Sequence, residues 1–383
     1  MEDANNYKIA IVHDWLTNMG GAEKVIESFM NVYPEAAIYT SMVNKANLSE
    51  KFQNKKIIPS FLQKKMNKKK PNHQKFLPFM PMAFESFDLN QYDVVLSSTT
   101  ACAKGVITRP DTVHICYCNT PMRYAWEFYH EYTENMGKLK KSLLKYVMNY
   151  IRIWDRAAAD RVDFFIANSQ NVANRIWKHY RRKSTVIYPP VNTEYYTPGG
   201  QKEDIYLCMS RLVKYKRVDL AVEAFNKNGK KLVIIGAGEQ LDYLKSIAKP
   251  NITFLGRQPD KVVREYYRKS KAFIFPGEED FGITPVEAQA CGTPVIAYGK
   301  GGATETVADK VTGIFFKEQT VESLLEAVDR FEKMELRSSD CRENAERFSV
   351  ERFEKQIKTY VEYCCSHRTV HQNEVDIENM KMI

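Results

Sequence analysis

The chain has 383 residues, 44% of them hydrophobic and 27% charged, and a formal net charge of +9. That length exceeds one ordinary core and suits two domains, and the composition excludes a disordered or fibrous chain. No apolar run approaches the ~18 residues that span a bilayer. The opening "MEDANNYKIAIVHDW" has acids and amides where a signal peptide has a basic segment and then an apolar one. A cytoplasmic protein is therefore expected, with recruitment to a membrane face left open.

In chain order, "KIAIVHDW" (8–15) reads as a buried strand and "GAEKVIESFMNVY" (21–33) as the helix after it. "AAIYTSM", "YDVVLSS", "TVHICYC" and "DFFIANS" are further strands, with helical spacing most evident over 138–161. Beyond residue 200 the rhythm repeats. "IYLCMSR", "KLVIIGAG", "NITFLGR", "AFIFPG" and "TPVIAYG" read as strands; 217–227, 262–270 and 284–291 read as helices. Such alternation implies parallel sheets covered by helices on both faces. The expected fold is α/β, with two Rossmann-like domains facing across a cleft at the carboxyl ends of their strands, where such folds bind ligands. "YPPVNTEYYTPGG" (188–200), with three prolines and two glycines, marks the connector. The expected organisation is a first domain over 1–190 and a second over 191–350. A last helix over 351–366 and a mobile tail over 367–383 follow.

Eight cysteines are present, and none has the paired Cys-x2-Cys spacing of a zinc site. They read as small buried hydrophobes, and no metal is expected. From Lys51 to Lys75 there are nine lysines and no acid, interrupted by Ile57, Ile58, Phe61, Leu62 and Met66, and "FLPFMPMAF" follows. Either this is a solvated loop, or residues 51–84 rest on anionic lipid. Nucleic acid is not expected as a partner, since no nucleic-acid-binding signature accompanies the charge.

The stretch "EEDFGITPVEAQACGTPVIA" (278–297) carries the most chemistry. It follows a strand, and Thr284-Pro285 suits an N-cap and first helical position. The amides of Phe281, Gly282 and Ile283 would then lie at a helix N-terminus, aimed at negative charge. Glu279 precedes that terminus, and Glu287 falls in the first turn. Two carboxylates there suit sugar or ribose hydroxyls; equally, Glu287 complements the helix dipole and Glu279 is a solvated loop charge. Arg211 and Lys216 follow the first strand of the second domain, and both can neutralise phosphate. Gly20-Gly21 lies between the first strand and first helix, where backbone amides can approach a ligand.

Together these residues resemble the retaining glycosyltransferases with two Rossmann-like domains, the GT-B type of family 4. The resemblance covers roughly residues 7–360. Its most specific element is the Glu-x7-Glu stretch "EDFGITPVE", followed by "AQACGTPVIA" and "GGATETV". "YDVVLSS", "YCNTPMRYAW", "DRAAADRVDFFIANSQNVANRIWKHY" and "VIYPPVNTEYYTP" are similar to the subgroup of O-antigen mannosyltransferases that use GDP-mannose. The resemblance implies a hexosyl, most specifically mannosyl, transfer to a saccharide acceptor on a lipid carrier in polysaccharide assembly. It implies that Arg211 and Lys216 neutralise the diphosphate, and that Glu279 with the 281–283 amides holds the donor sugar. It places Glu287 on the ribose, Gly20 and Gly21 against the diphosphate, and the base near Gly256 and Arg257. It implies no metal and no cofactor beyond the sugar nucleotide. Many relatives carry a histidine where this chain has Asn119. Asp14, Trp15, Asn119, Arg123 and Trp126 are the expected acceptor-side residues, beside His13. His114, earlier on the same strand as Asn119, is expected in the core.

A UDP-sugar donor fits the same residues. "VIIGAGEQL" raises a dinucleotide-dependent oxidoreductase, but its third glycine position holds Leu241 and no acidic residue follows at the expected spacing. A non-enzymatic lipid- or polyanion-binding protein would leave Glu279, Glu287, Arg211 and Lys216 without a role.

Overall fold

The computed structural model describes residues 7–66, 73–127 and 137–367. The mobile-tail expectation for 368–383 and lysines 68–70 of the basic segment lie outside them. The chain divides into two compact units, one up to Pro190 and again from Phe353, the other Val191–Arg352.

In unit 1 the strands are β1 Ile9–His13, β2 Ala37–Thr40, β3 Ile57–Pro59, β4 Val94–Thr99, β5 Val113–Cys118, β6 Phe164–Ala167 and β7 Thr185–Val186. The helices are α1 Gly21–Val32, α2 Met80–Glu85, α3 Lys138–Asp160 and α4 Gln170–Tyr180. The seven strands form one parallel sheet in the order β3-β2-β1-β4-β5-β6-β7. Successive strand residues point to opposite faces, and both faces are apolar. Ile11, Ile38, Leu96 and Ile115 face a core with Phe29 of α1. Ala10, Val12 and Val95 face another with Phe84 of α2 and Met148, Ile151 and Trp154 of α3.

Unit 2 contains β8 Tyr206–Met209, β9 Leu232–Ile235, β10 Ile252–Gly256, β11 Ala272–Phe275, β12 Val295–Tyr298 and β13 Gly313–Phe316. Its helices are α5 Val218–Asn228, α6 Leu241–Ile247, α7 Asp260–Lys269, α8 Ile283–Ala290, α9 Ala303–Thr306, α10 Val321–Phe331 and α11 Ser338–Glu346. Its parallel sheet runs β10-β9-β8-β11-β12-β13, the same winding as the first six strands of unit 1. Both units are therefore Rossmann-like, as the alternation of elements implies. In each, the order reverses beside the first strand, between β1 and β4 and between β8 and β11, and ligands bind outside such points.

The last helix, α12 Val350–Ser366, differs from a free-standing terminal element. Phe353, Ile357, Tyr360 and Val361 are buried in the α1-side core of unit 1. Phe353 stacks on Phe29 at 6.0 Å and meets Tyr117 edge-on at 5.7 Å. Each such buried side chain is worth roughly 1.5–3 kcal/mol, so unit 1 is completed by residues over 150 positions beyond its main segment. All eight cysteines are buried and unpaired by disulfides.

The basic segment departs from its simplest reading. Of its apolar residues, Leu62 is 1% and Met66 8% exposed, because both point into the core, whereas Phe61, Phe79 and Met82 are exposed. Ile57 and Ile58 are half-buried on the edge strand β3.

Candidate functional site

Unit 2 gathers charge at its switch point. β8 ends at Met209 and β11 at Phe275, and these strands are neighbours. From the first emerges the loop with Arg211 and, in a single 3-10 turn over Lys214–Lys216, Lys216. From the second emerges Glu279. Lys216 and Glu279 form an ion pair, their side chains 17% and 16% exposed. Arg211 is exposed and donates to the Tyr215 hydroxyl at 2.7 Å. Two cations and a carboxylate at the rim of a parallel sheet can hold phosphate and hydroxyl groups.

The Glu279 loop is fixed from below. The turn Gly299–Gly302 after β12 runs beneath it, and Gly302 N–H donates to Glu279 O at 2.8 Å. A Cβ on Gly302 would lie 2.2 Å from Phe281 Cα, so the two backbones touch because one side chain is missing. Sequence reasoning gave this turn no role of its own.

Helix α8 begins earlier than Thr284. Gly282 is its N-cap, with φ +91°, and no side chain caps it. Glycine alone adopts that conformation cheaply, and the turn sends Phe281 into the interior, 3% exposed, against Phe348 at 5.4 Å. Ile283 is thus the first helical residue and Pro285 the third. Glu287 lies in the second turn, not the first, and is 4% exposed. It therefore does not serve as a surface complement to the dipole. The Tyr267 hydroxyl of α7 donates to Glu287 Oε2 at 3.2 Å. Burial, and then the Glu287 charge, push the Tyr267 phenol well up, so it stays a neutral donor. Tyr267 escaped sequence reasoning; in "REYYRK" nothing distinguishes it from its neighbour Tyr266.

Gly256 ends β10 with φ +68°, its carbonyl accepting from Gly236 N–H at 2.9 Å, and Arg257 beyond it is exposed. The rival dinucleotide glycines have a packing reason. A Cβ at Gly236 would lie 1.9 Å from Ser210 O, and one at Gly238 2.2 Å from Leu212 O.

In unit 1, Gly20 is the extended N-cap of α1 and Gly21 its first residue. His13 ends β1, its Nδ1 donating to Ser98 O at 3.1 Å and its Nε2 3.6 Å from Glu23. Asp14 is held by the loop after β4. Its two oxygens accept the backbone N–H groups of Thr100, Ala101, Cys102 and Ala103 at 2.5, 2.8, 2.7 and 2.7 Å, with the Thr100 hydroxyl at 3.1 Å. A carboxylate offers about four lone-pair sites, and these are filled, so Asp14 fastens the loop after β4 to the end of β1. Trp15 beside it is half-buried.

Asn119, at the end of β5, donates to Ser98 Oγ at 3.0 Å, and its carbonyl accepts from Asn168 at 2.8 Å. It joins the ends of β4, β5 and β6 without a titratable proton. Arg123 is half-buried. Trp126 donates its indole N–H to the buried Asp155 at 2.8 Å and stacks on His179 at 4.7 Å. Its polar atom is thus directed inward. Asp155 also accepts from Tyr180 at 2.8 Å and pairs with the buried Lys104. His114 is fully buried against Ser97 Oγ at 2.9 Å.

The likenesses to known proteins agree with this architecture. Residues 19–195 match the family model described as Glycosyltransferase Family 4, and residues 198–348 that described as Glycosyl transferases group 1. A D-inositol 3-phosphate glycosyltransferase of Mycobacteroides abscessus is 27% identical over 202 residues, 46% of this chain and 46% of that protein. One from Gordonia bronchialis is 28% identical over 238 residues, 51% of each chain. The chain thus spans about half the length of these curated relatives. Among solved structures, sucrose-phosphate synthase from Thermosynechococcus elongatus has a TM-score of 0.73 at 16% identity, covering 94% of this chain and 100% of its own. Anabaena HepE in complex with UDP has a TM-score of 0.69 at 16% identity, covering 93% and 100%. In fold the chain is thus of the GT-B type, two Rossmann-like units, and one family match falls on each unit.

Proposed function

We propose that the protein is a retaining hexosyltransferase that moves mannose from GDP-mannose to a lipid-linked saccharide. The observation that carries the reading is the Lys216–Glu279 pair at the switch point of unit 2, with Arg211 on the same loop as Lys216. The diphosphate takes Arg211 and Lys216, and Glu279 turns to hydroxyls of the sugar. Glu287, with Tyr267 behind it, takes the ribose.

In the transfer, the bond from C1 to the phosphate oxygen breaks and the bond from C1 to the acceptor oxygen forms on the same face. The acceptor proton passes to a phosphate oxygen of the leaving nucleotide, so no protein base is required. Asn119, which cannot titrate, is compatible with that route. Charge developing on the nucleotide is stabilised by Arg211, Lys216 and the first amides of α8. Each such fixed donor is worth roughly 2.7–4 kcal/mol where it has been measured by removal.

A UDP-sugar is the second reading, favoured by the neighbour solved with UDP. The lysine-rich segment 51–84, with exposed Phe61, Phe79 and Met82, is proposed to rest on anionic lipid at the cytosolic membrane face, beside the acceptor.

Incubation with radiolabelled GDP-mannose or UDP-glucose and a lipid-linked oligosaccharide fraction tests the reading. Label from GDP-mannose should appear in lipid with the α configuration of the donor kept. Label only from the UDP-sugar would change the donor; label from neither, with no nucleotide released, would overturn the function.

A further inference from the structure

The turn-rich segment that opens unit 2 sends one aromatic ring into the interior. Tyr196 is 3% exposed, and its ring meets the Tyr267 ring edge-on, with the centroids 5.8 Å apart. Tyr267 also meets Phe273 of β11 at 5.5 Å. Aromatic pairs favour a small set of orientations. The two contacts therefore fix where the Tyr267 hydroxyl points, which is at Glu287 Oε2, 3.2 Å away. Tyr196 itself stands within electrostatic reach of that carboxylate. Burial, and then the Glu287 charge, push its phenol up.

Three arginines pin the backbone around Tyr196. On α7, Arg264 donates to Tyr195 O at 3.2 Å and lies over the Tyr195 ring at 4.5 Å. Arg268 donates to Thr197 O at 2.8 Å and to the Thr197 hydroxyl at 2.7 Å. Arg342 of α11 donates to Thr193 O and Tyr196 O at 2.7 Å each, and to Ala290 O at 3.2 Å. Arg264 and Arg268 flank Tyr267 on its own helix, and Ala290 is the last residue of the helix that carries Glu287. The segment Thr193–Thr197 is thus tied to both partners of the buried Tyr267–Glu287 contact.

We infer that Tyr196 is a positioning residue for nucleotide binding, holding the Tyr267 ring and, through its hydroxyl, the Glu287 carboxylate in the orientation that accepts the ribose hydroxyls. The inference rests on the reading that Glu287 takes the ribose, and adds to it a residue one ring removed from the nucleotide. A carboxylate with one oxygen held by a neutral donor presents the other in a defined direction. The effect of Tyr196 should be confined to the ribose, because the diphosphate takes Arg211 and Lys216 from the separate loop after β8.

The test reads a ratio of affinities. GDP and 2′,3′-dideoxy-GDP, and UDP and 2′,3′-dideoxy-UDP, are titrated into the full chain and into its Tyr196→Leu and Arg342→Gln variants. The wild type should prefer the ribose form of the diphosphate it binds by about tenfold or more, the worth of a hydrogen bond to a charged group. In Tyr196→Leu the preference should fall to about threefold or less, with the dideoxy form bound as by the wild type. Arg342→Gln, which loosens the same segment without touching either ring, should lose part of the preference. A smaller folded fraction weakens both ligands alike and leaves the ratio unchanged, so the ratio separates positioning from stability. A full wild-type preference in Tyr196→Leu would overturn the inference. Should that variant not fold, a full preference in Arg342→Gln would do the same. A wild type that binds ribose and dideoxy forms equally, or neither diphosphate, would instead sink the ribose assignment of Glu287, and this inference with it.

Discussion

Lys216 and Glu279 meet across the point where the strand order of unit 2 reverses. Sixty-three positions separate them in sequence, yet their parent strands β8 and β11 are hydrogen-bonded neighbours. A Rossmann-like winding puts those two strand ends together whatever the loops contain. The chain uses the juncture to hold a cation and an anion in the same place, and a sugar nucleotide brings groups for both.

The buried Tyr267–Glu287 contact predicts a graded effect. Tyr267→Phe removes one donated bond and nothing else, and such a bond is worth about 0.5–1.5 kcal/mol. Nucleotide affinity should fall by roughly two- to tenfold, while Glu287→Ala should lower kcat/KM about a hundredfold. Equal affinity in wild type and Tyr267→Phe, read by calorimetric titration, would remove Tyr267 from the site.

Gly302 has no space for a methyl group. Gly302→Ala places Cβ against the Phe281 backbone, and overpacking of this kind costs about 1–3 kcal/mol. The loop that yields carries Glu279, so activity should fall further than stability alone explains. Full activity with an unchanged melting temperature would contradict the packing described.

Asp14 should behave as a structural residue. Asp14→Asn keeps the shape but replaces one acceptor oxygen with a donor that faces N–H groups. Leaving charge-assisted bonds unmade costs roughly 3 kcal/mol, or about 6–12 °C in melting temperature for a unit of this size. Thermal melts should show that loss with nucleotide binding intact. Lost transfer with unchanged stability would place Asp14 on the acceptor side instead.

His114 makes unit 1 acid-sensitive. Burial, reinforced by the Arg161 and Arg182 charges, holds its imidazole down at about 3. In the unfolded chain it titrates near 6.5. The folded state therefore prefers the neutral ring. Its contribution is complete above pH 6.5 and is lost as pH falls from there through 3, amounting to roughly 5 kcal/mol. His114→Gln should shift the acid-unfolding midpoint downward, followed by circular dichroism. An identical acid curve would mean that other groups govern it.

The long periodic segments were legible in the sequence. Continuous apolar runs such as those of β1, β9 and β11 can be satisfied only by strands covered on both faces, and their alternation with helices fixes the winding. Short elements were not: β3 and β7 hold three and two residues, too few to show a period. The start of α8 is hidden in the sequence because a positive φ at Gly282 leaves no mark beyond a glycine, while Thr284-Pro285 displays a familiar start signal. The fastening role of Asp14 leaves no mark in the sequence because its partners lie 86 to 89 positions away. Likewise the amphipathic period of α12 shows that it buries one face, not that the face belongs to unit 1.

A Lys216–Glu279 juncture that binds a nucleoside diphosphate sugar will reveal itself in calorimetric titration. GDP, GDP-mannose, UDP, UDP-glucose and NADH are each titrated into the wild type and into Lys216→Ala of equal thermal stability. GDP and its mannose conjugate should bind the wild type and bind Lys216→Ala about a hundredfold more weakly. Binding that Lys216→Ala leaves unchanged, or a wild type that takes only NADH, would contradict it.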